Sequence, residues 1–535
     1  MNIEEINKTD LEQLQDVTIQ HKPHSLAYLI YKTRWFRFVL AGFSGVLLLL
    51  SFPPFAFGIF GWLALVPLFI AIFSSPSWKV AGLSGLITGL VFYTVSLSFF
   101  WEIFGVFGLI LSNVLSIYIV IFAISVWLLV NRIGLGNSFF FVPVFWVGIE
   151  LFRSELYFLR FPWLGIGYSQ APYNVLIQVC DIAGVYGLSF AVLSVNALIA
   201  WFLLERIRRR RWTWSCWIAV IIIFATLLVY GYYSNEYIPK YLQGEALRDV
   251  PVSEADQPAV EKSDTEKTRI PVVVVQDMVG SVDNYVMTTY GSVSGKRDSI
   301  AVWPEAADSA ILSTSAKRQL IEALVRDKKL YLITGTFEPT ENKIRFRNLA
   351  VLFSPQGDII GEYAKQIPVQ LVETIVVPGK RSGIFDTPLG KIGVLICYEG
   401  GFSNLALRLA RKDVDFIVIP TLELGGWGGL SHNHHASMIP FRAVEVRRPV
   451  IRSAALGISM IVHSSGKIES QINHLASGVI KGEIEIIKNN QQTFYVRYGY
   501  LFPRLCLLIY SIYFCIAIMV IFIRKIRTAG DWIYS

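Results

Sequence analysis

The sequence predicts a polytopic α-helical membrane domain with eight transmembrane helices, joined to a soluble α/β domain. Three observations carry this reading. Of the 535 residues, 53% are hydrophobic and 16% charged, against roughly a quarter charged in soluble chains. The shortfall lies in long runs without one Asp, Glu, Lys or Arg, and the basic residues cluster beside those runs. From Ile270 onward the texture changes to short β-branched runs separated by polar and helical segments.

Each span is justified by an uncharged run, because about 20 helical residues cross the hydrocarbon of a bilayer. No charge falls between Arg37 and Lys79, which leaves room for two spans. SFPPFAF, around Pro53 and Pro54, divides them, since proline removes a donor and clashes with the preceding turn. The further uncharged runs 80–101, 103–131, 133–149, 182–204, 212–235 and 505–523 bring the expected count to eight.

Charge asymmetry orients the spans. With the N-terminus inside, Lys22, Lys32, Arg34 and Arg37 precede the first span on the cytoplasmic side. Arg206 and Arg208 to Arg211 follow the sixth span, also inside, as do Arg524, Lys525 and Arg527 after the eighth. The large segment between spans seven and eight then faces outward. The polar start MNIEEINKTDLEQLQDV carries no cleavable signal pattern, so the first span is expected to direct export.

Five segments are expected: a cytoplasmic segment 1–35, a membrane domain 36–235 with seven spans, a linker 236–269, an extracytoplasmic catalytic domain 270–495, and a last span with its tail 496–535. The linker is charged and aperiodic. In the catalytic domain IPVVVVQ, SIAVW, LYLITGTF, KIGVLIC and DFIVIP read as strands buried on both faces. SAKRQLIEALVRDKK and NLALRLARKD have helical period. Strands alternating with helices give a layered α/β domain.

Composition excludes some functions. The net charge of +8 sits beside spans rather than across a globular face, so no nucleic-acid partner is expected. Of Cys180, Cys216, Cys397, Cys506 and Cys515, only Cys397 lies well inside the soluble part. That domain therefore has no partner for an internal disulfide, and its lone thiol is a candidate reactive one.

Three residues stand at the ends of expected strands: Glu305 in IAVWPEAA, Lys365 in EYAKQIP, and Cys397 in KIGVLICYEGGF. A strand followed by a sharp turn exposes a nucleophile, and the glycines beyond it let N–H groups approach an oxyanion. The thiolate is the nucleophile, a carboxylate can take the thiol proton, and an ammonium can lower the thiol pKa and hold the oxyanion. The trio therefore suits acyl transfer through a thioester. Alone, a cysteine at a strand end is usually a small core residue and a lysine a solvated charge. The pattern of all three outweighs those readings. His432, His434 and His435 in SHNHH lack a converging ligand set, so no metal is expected and they read as loop histidines near the cleft.

WPE, the lysine after a tyrosine, and ICYE together resemble the carbon–nitrogen hydrolase (nitrilase) superfamily. That resemblance implies an αββα sandwich. A domain of this kind between seven spans and an eighth resembles the apolipoprotein N-acyltransferase family. LSFPPF, FPWLGIGYSQAPYN (161–174), Asp181, Gly184, Tyr186, Gly187 and FRAVEVRRPVIRSAALGIS (441–459) add local matches. The resemblance covers roughly residues 36 to 525.

The resemblance implies Glu305 as base, Lys365 as oxyanion-stabilising cation and Cys397 as nucleophile. Glu373, Tyr398 and Glu399 match supporting positions. It also implies a phospholipid acyl donor, a diacylated apolipoprotein acceptor, no cofactor, and a monomer in the bacterial cytoplasmic membrane. The chain departs from the family pattern at IPVQLVE, at TLELGGWGG with Leu422 and Glu423, and at SAALG; Tyr285 stands near the place of an arm tryptophan. A membrane-tethered amidase, or an acyltransferase with another acceptor, is the alternative reading.

Overall fold

The computed structural model describes residues 26–209, 214–236, 267–278, 280–295, 298–341, 343–487 and 492–531. Most of the expected linker, the segment 1–25, and Arg210 and Arg211 of the basic cluster lie outside the described residues. The chain divides into two compact units. One comprises the described residues within Met1–Phe152, Ser189–Ala225 and Arg504–Ser535; the other comprises those within Arg153–Leu188 and Thr226–Pro503.

Among the described residues, six helices are long and apolar enough to cross a membrane: Arg34–Ser51, Trp78–Ser96, Val106–Ile133, Cys180–Ile207, Trp214–Asn235 and Leu501–Val520. The other two expected spans are shorter. Gly58–Phe73 is a 3-10 turn, Gly58–Trp62, followed by a helix, Val66–Phe73, that has a proline in its first turn. Phe141–Leu151 is an 11-residue helix that passes into a π turn at Phe152–Leu156. The expected eight are thus six full-length helices and two short ones.

The membrane unit packs as such helices must when lipid is as apolar as leucine: small residues bring backbones close and polar groups bond across. A Cβ on Gly85 would come within 2.7 Å of the Ile119 carbonyl. Thr88 Oγ1 donates to the Ala41 carbonyl at 2.8 Å. Large apolar side chains such as Phe107 and Ile221 face outward, as a lipid-facing surface requires.

The expected span 182–204 lies within a helix, Cys180–Arg209, that is broken near its start at Ala183 and Gly184. Gly184 has φ +64°, and a Cβ there would fall 2.3 Å from the Tyr495 ring. Only glycine meets both demands.

The second unit is built on thirteen strands. They are β1 (Lys267–Gln276), β2 (Ser299–Val302), β3 (Asp308–Ser309), β4 (Leu330–Pro339), β5 (Phe346–Phe353), β6 (Ile359–Ala364), β7 (Gly383–Thr387), β8 (Gly390–Val394), β9 (Phe416–Leu422), β10 (Val450–Ala455), β11 (Ser459–Val462), β12 (Ile468–Ile472) and β13 (Gly478–Ile487). One sheet has the order β13-β1-β2-β4-β5-β6, with β3 on β4; the other has the order β12-β11-β10-β9-β8-β7. The central neighbours β1/β2, β2/β4, β8/β9 and β9/β10 are parallel, which suits their unbroken apolar runs.

β1 begins at Lys267, inside the expected linker, because the charged Lys267 and Arg269 pair in register with Ile487 and Glu485 of β13. Val272, Val274, Val302 and Ile333 of the first sheet share one core with Val394, Phe416, Val418 and Ile451 of the second. The helices Val282–Ser292 and Ser315–Lys328 contribute Tyr285, Ile321 and Leu324 to a second core, on the other face of the first sheet. Helices Ser403–Ala410 and Ile439–Val446 belong to the second sheet. The layers are helix, sheet, sheet, helix, which is the expected sandwich.

Candidate active site

The site forms where four strands end. Glu305 follows β2, Lys365 follows β6, Cys397 follows β8 and Leu422 ends β9. Strand ends are where parallel α/β sheets leave room for a ligand.

Cys397 opens the 3-10 turn Cys397–Gly401 with φ +52°. A non-glycine residue holds this left-handed conformation only where its surroundings enforce it. Glu399 supplies that enforcement. Its Oε2 accepts the Ile396 amide at 2.7 Å and the Tyr363 hydroxyl at 2.8 Å, and its Oε1 accepts the Gln366 and Ile367 amides at 2.6 and 3.0 Å. Burial raises the Glu399 pKa, and the hydrogen bonds from Ile396 and Tyr363 work against that rise. Tyr398 donates to the Arg160 carbonyl at 2.6 Å, so the residue after the cysteine is fastened to the residue that precedes FPWLGIG.

Lys365 is buried, and its Nζ lies 2.9 Å from Glu305 Oε1 and 2.8 Å from Glu373 Oε2. Burial opposes charge on this ammonium. Glu305, Cys397 and Glu373 outweigh burial and hold its pKa above the ordinary lysine value. The Cys397 thiol is held well above its ordinary value, first by burial and then by Glu305, while Lys365 opposes the rise. At neutral pH the group is therefore a thiol, which needs a base to become a nucleophile. The Cys397 Sγ–H points to the Leu422 carbonyl at 3.5 Å.

All six expected residues, Glu305, Lys365, Cys397, Glu373, Tyr398 and Glu399, meet around this turn. Glu373 is fixed despite the altered IPVQLVE segment: the Val369 amide donates to its Oε2 at 2.6 Å.

Sequence reasoning missed Asn348. Its Nδ2 donates to Glu305 Oε1 at 2.6 Å and to Glu373 Oε1 at 3.2 Å, so it spaces the two carboxylates. A fully buried amide within the apolar strand β5 was the available signal. Also missed was the Leu422 amide, which donates to Glu305 Oε2 at 2.8 Å; a backbone donor leaves no mark in sequence.

One expectation is corrected. The histidines of SHNHH lie not in a loop but on the helix Gly428–Ala436, where His432, His434 and His435 are buried. Among the described residues no group of three or more His, Cys, Asp or Glu could hold a metal ion. Tyr285, near the place of the arm tryptophan, is buried on the helix Val282–Ser292 and stacks on Trp303 at 5.3 Å.

The sequence matches two family models: the apolipoprotein N-acyltransferase N-terminal domain over residues 44–198 and the carbon-nitrogen hydrolase over residues 287–487. An apolipoprotein N-acyltransferase of Geobacter metallireducens is 30% identical over 505 residues, which is 88% of this chain and 93% of that relative. One of Pasteurella multocida is 26% identical over 82% of this chain and 88% of its own. Among solved structures, a nitrilase-superfamily protein of Saccharomyces cerevisiae covers 44% of this chain and 95% of its own, with 21% identity and a TM-score of 0.37. On the length and identity of the match to the Geobacter relative, this chain belongs to the apolipoprotein N-acyltransferase family.

Proposed function

We propose that the protein moves an acyl chain from a membrane phospholipid, through a Cys397 thioester, to the N-terminal amine of an S-diacylglyceryl-cysteine on an apolipoprotein. The observation that carries this reading is the placement of Lys365 Nζ on both Glu305 and Glu373, beside a strained cysteine, in a chain of this family. Glu305 takes the thiol proton as Sγ attacks the ester carbonyl. The Sγ–C bond forms and Lys365 faces the oxyanion. The ester C–O bond then breaks, and Glu305 returns the proton to the departing lysophospholipid oxygen. In the second half the amine attacks the thioester. The N–C bond forms, the C–S bond breaks, and the amine proton passes through Glu305 to the thiolate.

Both substrates carry long acyl chains, and each CH₂ kept out of water is worth about 0.8 kcal/mol. A catalytic domain tied to membrane helices avoids that cost. Orientation rests on charge: eight spans put Lys79, Arg132 and Arg206 on the same side as Lys32 and Arg37, the cytoplasmic side. If the two short helices do not span, Lys79 and Arg132 move to the opposite side. The charge pattern thus favours eight crossings, with the catalytic domain outside the cytoplasmic membrane. All the residues named belong to one chain, so a monomer suffices.

The test is intact-protein mass spectrometry after incubation with phospholipid, beside a Cys397→Ser control. A gain of one acyl chain, removed by hydroxylamine and absent from the control, is expected. A diacylated lipopeptide should discharge it and gain the chain. Discharge by water alone would make the protein a membrane-tethered hydrolase rather than an acyltransferase. No adduct with any phospholipid would end the acyl-donor reading.

A further inference from the structure

Leu422 touches both reacting groups through its main chain. Its N–H donates to Glu305 Oε2 at 2.8 Å, and its carbonyl accepts from Cys397 Sγ at 3.5 Å. Leu422 is the last residue of β9, where the ladder to β10 ends at the pair Leu422 and Ala455. Something beyond the ladder must keep this main chain in place, because an error of about 1 Å in reacting geometry can cost on the order of 10²-fold in rate.

The next residue supplies it. The Glu423 amide donates to the Ala455 carbonyl at 3.1 Å. Its buried carboxylate, through Oε1, meets His435 Nδ1 at 2.6 Å and Arg452 Nη2 at 2.9 Å. Arg452 is itself held by the Ile458 carbonyl. The His435 ring stacks on Trp163 at 5.5 Å, and Arg153 fixes the loop that carries Trp163 by donating to the Phe161 and Trp163 carbonyls. Strand β10 and the helix Gly428–Ala436 therefore converge on one carboxylate, and the FPW loop backs its histidine partner.

A buried ion pair is weak evidence for stability, since an apolar replacement of similar volume is often neutral or better. Its location one residue past the Leu422 contacts gives it another use. We propose that Glu423, His435 and Arg452 are positioning residues, which hold the Leu422 main chain against Glu305 and Cys397. The proposal rests on the reading of Glu305 and Cys397 as base and nucleophile. It also gives the departure from the family pattern at TLELGG a structural role.

The experiment compares full-length wild type with Glu423→Gln, His435→Leu and His435→Asn in phospholipid nanodiscs. Three quantities are read: acyl-adduct formation, the rate of Cys397 alkylation by iodoacetamide from pH 6 to 9, and the thermal midpoint. Glu423→Gln and His435→Leu should slow adduct formation on the order of 10²-fold. Asparagine places an amide near the position of Nδ1, so His435→Asn should recover most of the rate lost in His435→Leu. In Glu423→Gln the alkylation profile should move to lower pH. Glu423 is one of the charges facing the thiol, with Glu305, Lys365 and Glu373.

Wild-type adduct rates and alkylation profiles in Glu423→Gln and His435→Leu, with only the thermal midpoint lowered, would overturn the proposal. Equal rates in His435→Asn and His435→Leu would do the same, and this pair decides if Glu423→Gln does not fold. Alkylation needs no acyl donor. If wild type forms no adduct, the functional reading fails while the alkylation comparison still decides the network.

Discussion

Glu399 Oε1 accepts the Gln366 amide at 2.6 Å, and this bond ties the turn that carries Cys397 to the residue after Lys365. With the Ile367 and Ile396 amides and the Tyr363 hydroxyl, four donors converge on one buried carboxylate. Such charge-assisted bonds are roughly twice as strong as neutral ones.

Glu399→Ala should therefore be severely destabilising. Each buried donor left without a partner costs about 1–3 kcal/mol. Glu399→Gln keeps the volume but cannot accept with both side-chain heavy atoms. It should retain the fold while adduct formation falls on the order of 10²-fold. The thermal midpoint and the rate of acyl-adduct formation check both statements. A Glu399→Gln protein with a wild-type rate would show that the tie does not set catalytic geometry.

The raised pKa of Cys397 gives a second prediction. Burial and Glu305 both raise it, and Lys365 opposes them. Alkylation of wild-type Cys397 should be slower than that of an exposed cysteine and should keep rising through pH 9 without a plateau. Glu305→Gln removes one of the raising causes while Lys365 keeps its charge. Alkylation at pH 8 should then become faster, while acyl transfer falls by about 10²- to 10⁴-fold for want of the base. Because Cys515 is exposed, the Cys397 peptide itself must be followed by mass spectrometry. Slower alkylation in Glu305→Gln would count against Glu305 as a charge that raises the thiol pKa.

The parts legible in the sequence were those with a strong local signature. Uncharged runs located the long helices, because only composition and length decide whether a helix suits a bilayer. IAVW, LYLITGTF and FIVIP marked the inner strands β2, β4 and β9. WPE, YAK and ICYE placed Glu305, Lys365 and Cys397 at strand ends. Less legible were the edges. β6 and β12 are partly exposed and their patterns are mixed with charges. The short helix Val66–Phe73 looks like a full span by hydropathy, since the 3-10 turn before it leaves no compositional trace. Asn348, His435 and Arg452 are far from the nucleophile in sequence, and only the sandwich brings them to it.

Among the described residues, Lys365 is the sole ammonium shown between two carboxylates, the buried Glu305 and the partly buried Glu373. Lys365→Met should lose adduct formation entirely and destabilise the domain by about 3–5 kcal/mol, because it leaves uncompensated buried charge. The double variant Lys365→Met with Glu373→Gln should recover part of that stability without recovering activity. Thermal unfolding of both variants beside wild type measures it. No recovery in the double variant would mean that Glu373 does not depend on the ammonium.

The Glu423 network makes stability depend on pH in a calculable direction. Burial alone would raise the Glu423 pKa, but Arg452, and then His435, bring it down from 4.5 to about 2. His435 is itself lowered, first by burial and then by Arg452. The histidine is therefore a neutral hydrogen-bond donor, and Arg452 carries the countercharge. A folded pKa below the unfolded one contributes stability that is complete above about 4.5 and is lost as pH falls toward 2. At 1.36 kcal/mol per pKa unit the contribution is about 3 kcal/mol. The stability gap between wild type and Glu423→Gln should thus be widest at neutral pH and narrow as the pH is lowered through 4.5. The lowered His435 adds a penalty below 6.5 that is larger in Glu423→Gln, because Glu423 holds the His435 pKa up, so both proteins are compared in a His435→Asn background that removes it. Denaturation of the two proteins at pH 7 and pH 4 measures the gap, and a constant difference would mean that the Arg452 pairing does not favour the ionised form of Glu423.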